Sequence, residues 1–123
     1  MSAREGYAPT TIHAMEKRET PAKTQQRFED IGEELAGRGV SVSQMFGMPC
    51  LKTKGRTFAG VFGDAMVFKL GGDAHAGALK LKGAELFDPS EMGRPMKEWV
   101  VVPGAHAARW AGLAEQARAY VAG

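Results

Sequence analysis

The residues of this chain with reactive side chains are few and dispersed. Cys50 is the one cysteine among 123 residues. A thiol nucleophile needs a lowered pKa and a nearby base, whereas Cys50 follows Pro49 within apolar, strand-like sequence, which suits a small core residue. His13, His75 and His106 lack the close spacing of a zinc motif, and only one cysteine is available to join them, so they read as surface or helix-end residues. Asp88, Glu91 and Glu98 are carboxylates of the type that serves general acid–base catalysis. Asp88-Pro89 instead reads as a turn and Glu91 as loop surface. Gly71-Gly72-Asp73 precedes a helical stretch whose free amides would attract an anion. It lacks the glycine fingerprint of a dinucleotide site and the Lys-Ser/Thr of a P-loop, and Asp73 would repel a phosphate there. No catalytic, metal or cofactor site is expected, and the chain reads as a non-enzyme.

One polar set stands apart. Arg94 and Lys97 flank Pro95-Met96 at the entry to a strand, and Lys69 closes another strand, so the three are expected to converge at one sheet margin. Arg94 would suit bidentate recognition of an acidic group on a partner. The competing reading makes Lys97-Glu98 a charged gatekeeper beside the Trp99-Val100-Val101-Val102 strand and Lys69 an edge-protecting charge. Phe58, Phe62, Met66, Phe68 and Trp99 would line a ligand cavity or, by default, pack in the sheet core.

These residues need a scaffold, and the patterning supplies one. Residues 1–19 show no sustained period and read as an arm; 20–123 reads as one domain. Thr20-Pro21 starts a helix, with the Thr hydroxyl as cap and Pro at the first helical position. Phe28, Ile31 and Leu35 form its apolar stripe, and Gly37 and Gly39 end it. Lys54-Gly55 and Gly63-Asp64 are turn dipeptides separating three strand-like runs from Val40 onward. A two-residue loop at Gly63-Asp64 places Ala59 opposite Phe68 and Val61 opposite Met66, leaving Phe58, Phe62 and Val67 on the other face. Both faces are then apolar, unlike a sheet with one solvated side. Phe58, Phe62 and Val67 are therefore expected to form an apolar interface, covered by the arm or by a second subunit in a homodimer.

A short helix after Gly71, capped by Asp73 and anchored by Leu79, leads to a strand over Glu85–Phe87. A further strand runs through Trp99–Val102, and a final helix carries Trp110, Leu113, Ala117, Tyr120 and Val121 on one stripe. The order helix, three strands, helix, two strands, helix predicts a two-layer α+β domain, with helices packed on an antiparallel sheet.

Composition narrows the class. A hydrophobic fraction of 44% with 24% charged residues describes a globular chain. The net charge of +2, with acidic residues interspersed among basic ones, implies no long-range positive field. No signal-like segment or run of about 20 apolar residues is present, so a cytoplasmic protein is expected.

Met45-Phe46-Gly47, the strand beginning Phe58-Ala59, the Phe68-Lys69-Leu70 strand end and the Met96–Pro103 strand resemble, in this order, the N-terminal domain of the TfoX/Sxy family. The likeness spans roughly residues 24–121. It implies a non-enzymatic, regulatory interaction domain, because competence regulators of that family join this domain to a C-terminal helical domain and help activate transcription of DNA-uptake genes. This sequence stops after the first domain, as in stand-alone members, whose Gly93-Arg94-Pro95-Met96-Lys97-Glu98-Trp99 run it most resembles. A weaker similarity is to MmcQ/YjbR-like proteins, through the Lys at a strand end and the Trp opening a late strand. A protein partner is expected. The alternative is a nucleic-acid-binding module using Lys52, Lys54, Arg56, Lys69, Arg94 and Lys97.

Overall fold

The computed structural model describes residues 20–45, 47–88 and 96–123. In chain order these form helix α1 (Ala22–Leu35), strands β1 (Val40–Met45), β2 (Met48–Thr53), β3 (Arg56–Phe62) and β4 (Ala65–Lys69), and helix α2 (Gly72–Leu79). Strands β5 (Glu85–Phe87) and β6 (Met96–Val102) follow, and helix α3 (Trp110–Ala122) closes the chain. Tight 3-10 turns at 36–38 and 104–109 lead out of α1 and into α3. The six strands make one antiparallel sheet in the order β1-β2-β3-β4-β6-β5. The fold is α+β, with the helices on one side of the sheet.

Four strands precede α2 where the sequence pattern marks three. Gly47 adopts φ +76°, a left-handed conformation that costs glycine little, and there the chain reverses. The run from Val40 to Thr53 thus becomes a hairpin with Met45 opposite Met48. At the next hairpin the expected register holds: Ala59 faces Phe68, Val61 faces Met66, and Gly63 takes φ +64° in the two-residue loop.

The start of α1 is one residue later than expected. Pro21, with ψ 150°, is the N-cap and the cap has no side-chain hydrogen bond, so Thr20 does not fill that role. Gln25 N–H donates to the Pro21 carbonyl at 3.0 Å, the first bond of the helix. In α2 the cap is Gly71, and Asp73 sits in the first turn, where its charge favours the amide-rich end. Ala78, not Leu79, is the buried residue of this helix.

The main core lies between helices and sheet. Phe28, Ile31 and Leu35 from α1 and Trp110, Leu113, Ala114, Ala117 and Val121 from α3 meet Leu51, Val61, Met66, Phe68, Val100 and Val102 of the sheet. The Trp110 indole N–H donates to the Val102 carbonyl at 3.2 Å, which satisfies a buried donor and ties α3 to the end of β6. Tyr120 is 44% exposed and outside the buried stripe. Its ring lies over Gly71, where an added Cβ would sit 2.4 Å from Tyr120 Cε1.

A second, smaller cluster joins Met48, Phe62, Val67, Phe87 and Trp99 on the face turned away from the helices. Phe62 and Phe87 come from strands three steps apart, roughly 14 Å in a flat sheet. Their ring centroids are 5.0 Å apart in an edge-to-face contact at 67°. That separation requires the sheet to curl so that this face is concave. A register irregularity between Leu86 and Phe87 gives the edge strand its bend.

Candidate functional site

The expected apolar interface is corrected in part: its residues offer no surface to a second subunit, and the arm at 1–19 expected as the other cover lies outside the described residues. Phe58 and Val67 are 0% exposed and Phe62 is 8% exposed, so all three are core residues of a single chain. They also do not share a face. Phe58 packs in the helix-side core, while Phe62 and Val67 belong to the second cluster. The cause is a bulge: Leu51 pairs with Ala59 but Lys52 pairs with Thr57, leaving Phe58 as the extra residue of β3. A bulged residue escapes strict alternation, so Phe58 and Ala59 both serve the helix side.

The polar set fares differently. Lys69 ends β4 and pairs with Trp99, which puts Lys97 at the same end of the sheet on β6. Lys69 Nζ lies 3.7 Å from Glu98 Oε1, and Leu70 N–H donates to the Glu98 carbonyl at 2.8 Å. From the helix layer, His75 Nε2 lies 2.8 Å from the Lys97 carbonyl. A carbonyl only accepts, so Nε2 carries the proton and the ring clamps the start of β6 to α2. Sequence spacing does not show this clamp, since His75 and Lys97 are 22 positions apart. Arg94 lies outside the described residues, as do His13 and Glu91.

The strand order bears on the edge-protection reading of Lys69. β4 lies between β3 and β6, and β6 between β4 and β5; the edges are β1 and β5. Neither Lys69 nor Lys97 is on an edge strand, so edge protection does not account for Lys69, while Lys97-Glu98 still flanks the apolar Trp99–Val102 run as a gatekeeper would. Both have solvent access: Lys97 is exposed and the Lys69 side chain is 34% exposed. Two lysines and one carboxylate on a strand-end margin, held by backbone bonds, can receive an acidic group.

Other chemically suggestive residues are committed to structure. Cys50 is buried, its Sγ 3.9 Å from Thr57 Oγ1, and burial pushes its thiol pKa up despite that hydrogen bond and the nearby Lys52 charge. A raised pKa opposes thiolate formation. His106 Nε2 lies 2.9 Å from the Lys82 carbonyl, a second backbone clamp. Among the described residues, no group of three or more His, Cys, Asp or Glu side chains is placed to hold a metal ion. No described helix is long and apolar enough to cross a membrane.

Two further features were not legible in the sequence. Glu115 accepts from Arg118 at 2.9 and 2.6 Å and lies 3.4 Å from Arg38, an arrangement that lowers the Glu115 pKa chiefly through the Arg118 hydrogen bonds. A cleft of about 400 Å³ opens between α2 and α3, with Ala74, Gly77, Leu81 and Gly112 on its walls and Asp73 and Arg109 at its rim. The cleft has ordinary surface chemistry, and both rim charges are exposed. No family model matches the chain, and no curated protein or solved structure matches it.

Proposed function

We propose that this protein is a non-enzymatic interaction domain of regulatory type, resembling the N-terminal domain of TfoX/Sxy competence regulators and acting in the cytoplasm on a protein partner. The observation that carries this reading is the placement of Lys69 and Lys97 on interior strands at one end of the sheet, beside Glu98 and clamped by His75. Both lysines reach solvent outside the core, and neither guards a sheet edge, which supports a role in recognition. A margin fixed by backbone bonds presents its charges with less conformational entropy to lose on binding. Arg94, three positions before Lys97 and four before Glu98 in sequence, is proposed to add a bidentate donor to the same partner contact.

The alternative, a nucleic-acid-binding module, draws on a second observation. The β2–β3 turn with Lys54 lies at the same end of the sheet as Lys69 and Lys97, with Lys52 and Arg56 on the strands that lead into it. Arg56 is partly committed, donating from Nη1 to the Val121 carbonyl at 3.3 Å.

Affinity capture with the full chain, with and without nuclease treatment, tests the primary reading. Capture of one protein that resists nuclease supports it. Capture that disappears with nuclease, and falls steeply with salt as phosphate contacts require, replaces it with the alternative.

A further inference from the structure

The two edges of the sheet are finished differently. β5 is three residues long, begins at exposed Glu85 and has a register irregularity after Leu86. Shortness, charge and a bulge all discourage another strand from pairing. β1 has none of these. It reads Val-Ser-Val-Ser-Gln-Met, without charge or proline, and all six residues pair with β2 in unbroken register. Among the described residues no strand pairs with its outer side, and Ser41, Val42 and Gln44 are exposed, Val42 to 64%. In an antiparallel strand every second residue directs its N–H and C=O away from the existing partner. This straight edge therefore offers a row of donors and acceptors to an added strand.

We propose that β1 pairs with β1 of a second copy, antiparallel across a two-fold axis, so that two sheets join into one. The composition of the strand selects this occupant. In a two-fold pairing the same patch meets itself, and a charge on it would face a copy of that charge. An edge built for an unlike strand is under no such restriction, yet β1 is uncharged throughout. Centring the axis at Val42 sets valine against valine and Ser41 against Ser43, an apolar pair flanked by hydroxyl pairs that can hydrogen-bond across the strands. The axis lies at the sheet edge farthest from β5, with three strands between β1 and β6. The inference is independent of the partner-binding reading, because Lys69, Glu98 and Lys97 take no part in it.

Sedimentation of the full chain over a range from about 1 to about 300 µM tests it by mass action. The expected mass rises from 13.2 kDa toward twice that value. Val42→Lys, which places like charges face to face at an already exposed position, is expected to remain at the monomer mass throughout with an unchanged circular dichroism spectrum. Val42→Thr is expected to retain association. Val42→Cys provides a positional check, since Cα atoms about 5.5 Å apart across a hydrogen-bonded pair suit a disulfide; mild oxidation should yield a covalent dimer, while the same change at exposed Gln116 should not. A wild-type chain that stays monomeric overturns the proposal, as does a dimer that survives Val42→Lys and does not cross-link through Val42→Cys. If the chain is monomeric and Val42→Lys abolishes capture of a different protein, the edge accepts a foreign strand instead.

Discussion

At the scale of single residues, side chains that are suggestive in sequence are committed in structure. Cys50 is 0% exposed and faces Thr57. Cys50→Ala is expected to cost about 1 kcal/mol in packing, without loss of partner capture. Its folded pKa lies above the unfolded value, because burial disfavours the thiolate. The stabilising contribution is therefore complete below the unfolded thiol's pKa and is lost as pH rises through the folded one. Urea midpoints across neutral to alkaline pH check this: the wild type should lose stability relative to Cys50→Ala as pH rises. Rapid labelling of Cys50 by a thiol reagent in the native protein near neutral pH would contradict the assignment. Glycines give a paired test. Gly71→Ala would drive a methyl into the Tyr120 ring at 2.4 Å and is expected to destabilise by roughly 1–3 kcal/mol. Gly112→Ala meets nothing within 4 Å inside α3 and is expected to stabilise by about 0.5–1 kcal/mol. Thermal unfolding of both should show opposite signs. Sequence alone could not rank these two glycines, since Tyr120 reaches Gly71 only through tertiary packing.

At the scale of elements, the turn at Gly63-Asp64 was legible, whereas the reversal at Gly47 and long-range placement were not. Gly63-Asp64 fixes the β3–β4 register because a two-residue loop leaves one pairing. The α+β order of helices and strands follows from hydrophobic period in the same way. The bulge at Phe58 was invisible because nothing in the β3 sequence alone marks an extra residue; only the pairing of Leu51 with Ala59 and Lys52 with Thr57 reveals it. The two apolar faces of the hairpin were legible, but the cover of the second was not. Phe62 meets Phe87 across the curl of the sheet, a contact between residues 25 positions apart in sequence. Trp99 belongs to that concave cluster and is 6% exposed. Trp99→Ala is expected to destabilise the fold by about 3–5 kcal/mol, read as a lower urea midpoint. A loss below about 1 kcal/mol would mean that the second cluster contributes little and that the curl has another cause.

At the scale of the whole molecule, the sheet has a covered side, a concave side and two unlike edges, and its candidate contact surface is a strand-end margin. The convergence of Lys69 and Lys97 was legible because both sit at strand ends in a meander. Their interior position was not, because it depends on β6 inserting between β4 and β5. That insertion takes Lys69 and Lys97 off the sheet edges, and recognition of an acidic group is the role proposed for them. The most direct measurement sets partner capture against thermal stability for Lys69→Ala, Lys97→Ala and the double variant. The expected midpoint lies within about 1–2 °C of wild type, since exposed charges contribute little to stability, with capture reduced in each single variant and lost in the double. Intact capture accompanied by a midpoint lowered by several degrees would contradict the recognition role and make these lysines structural.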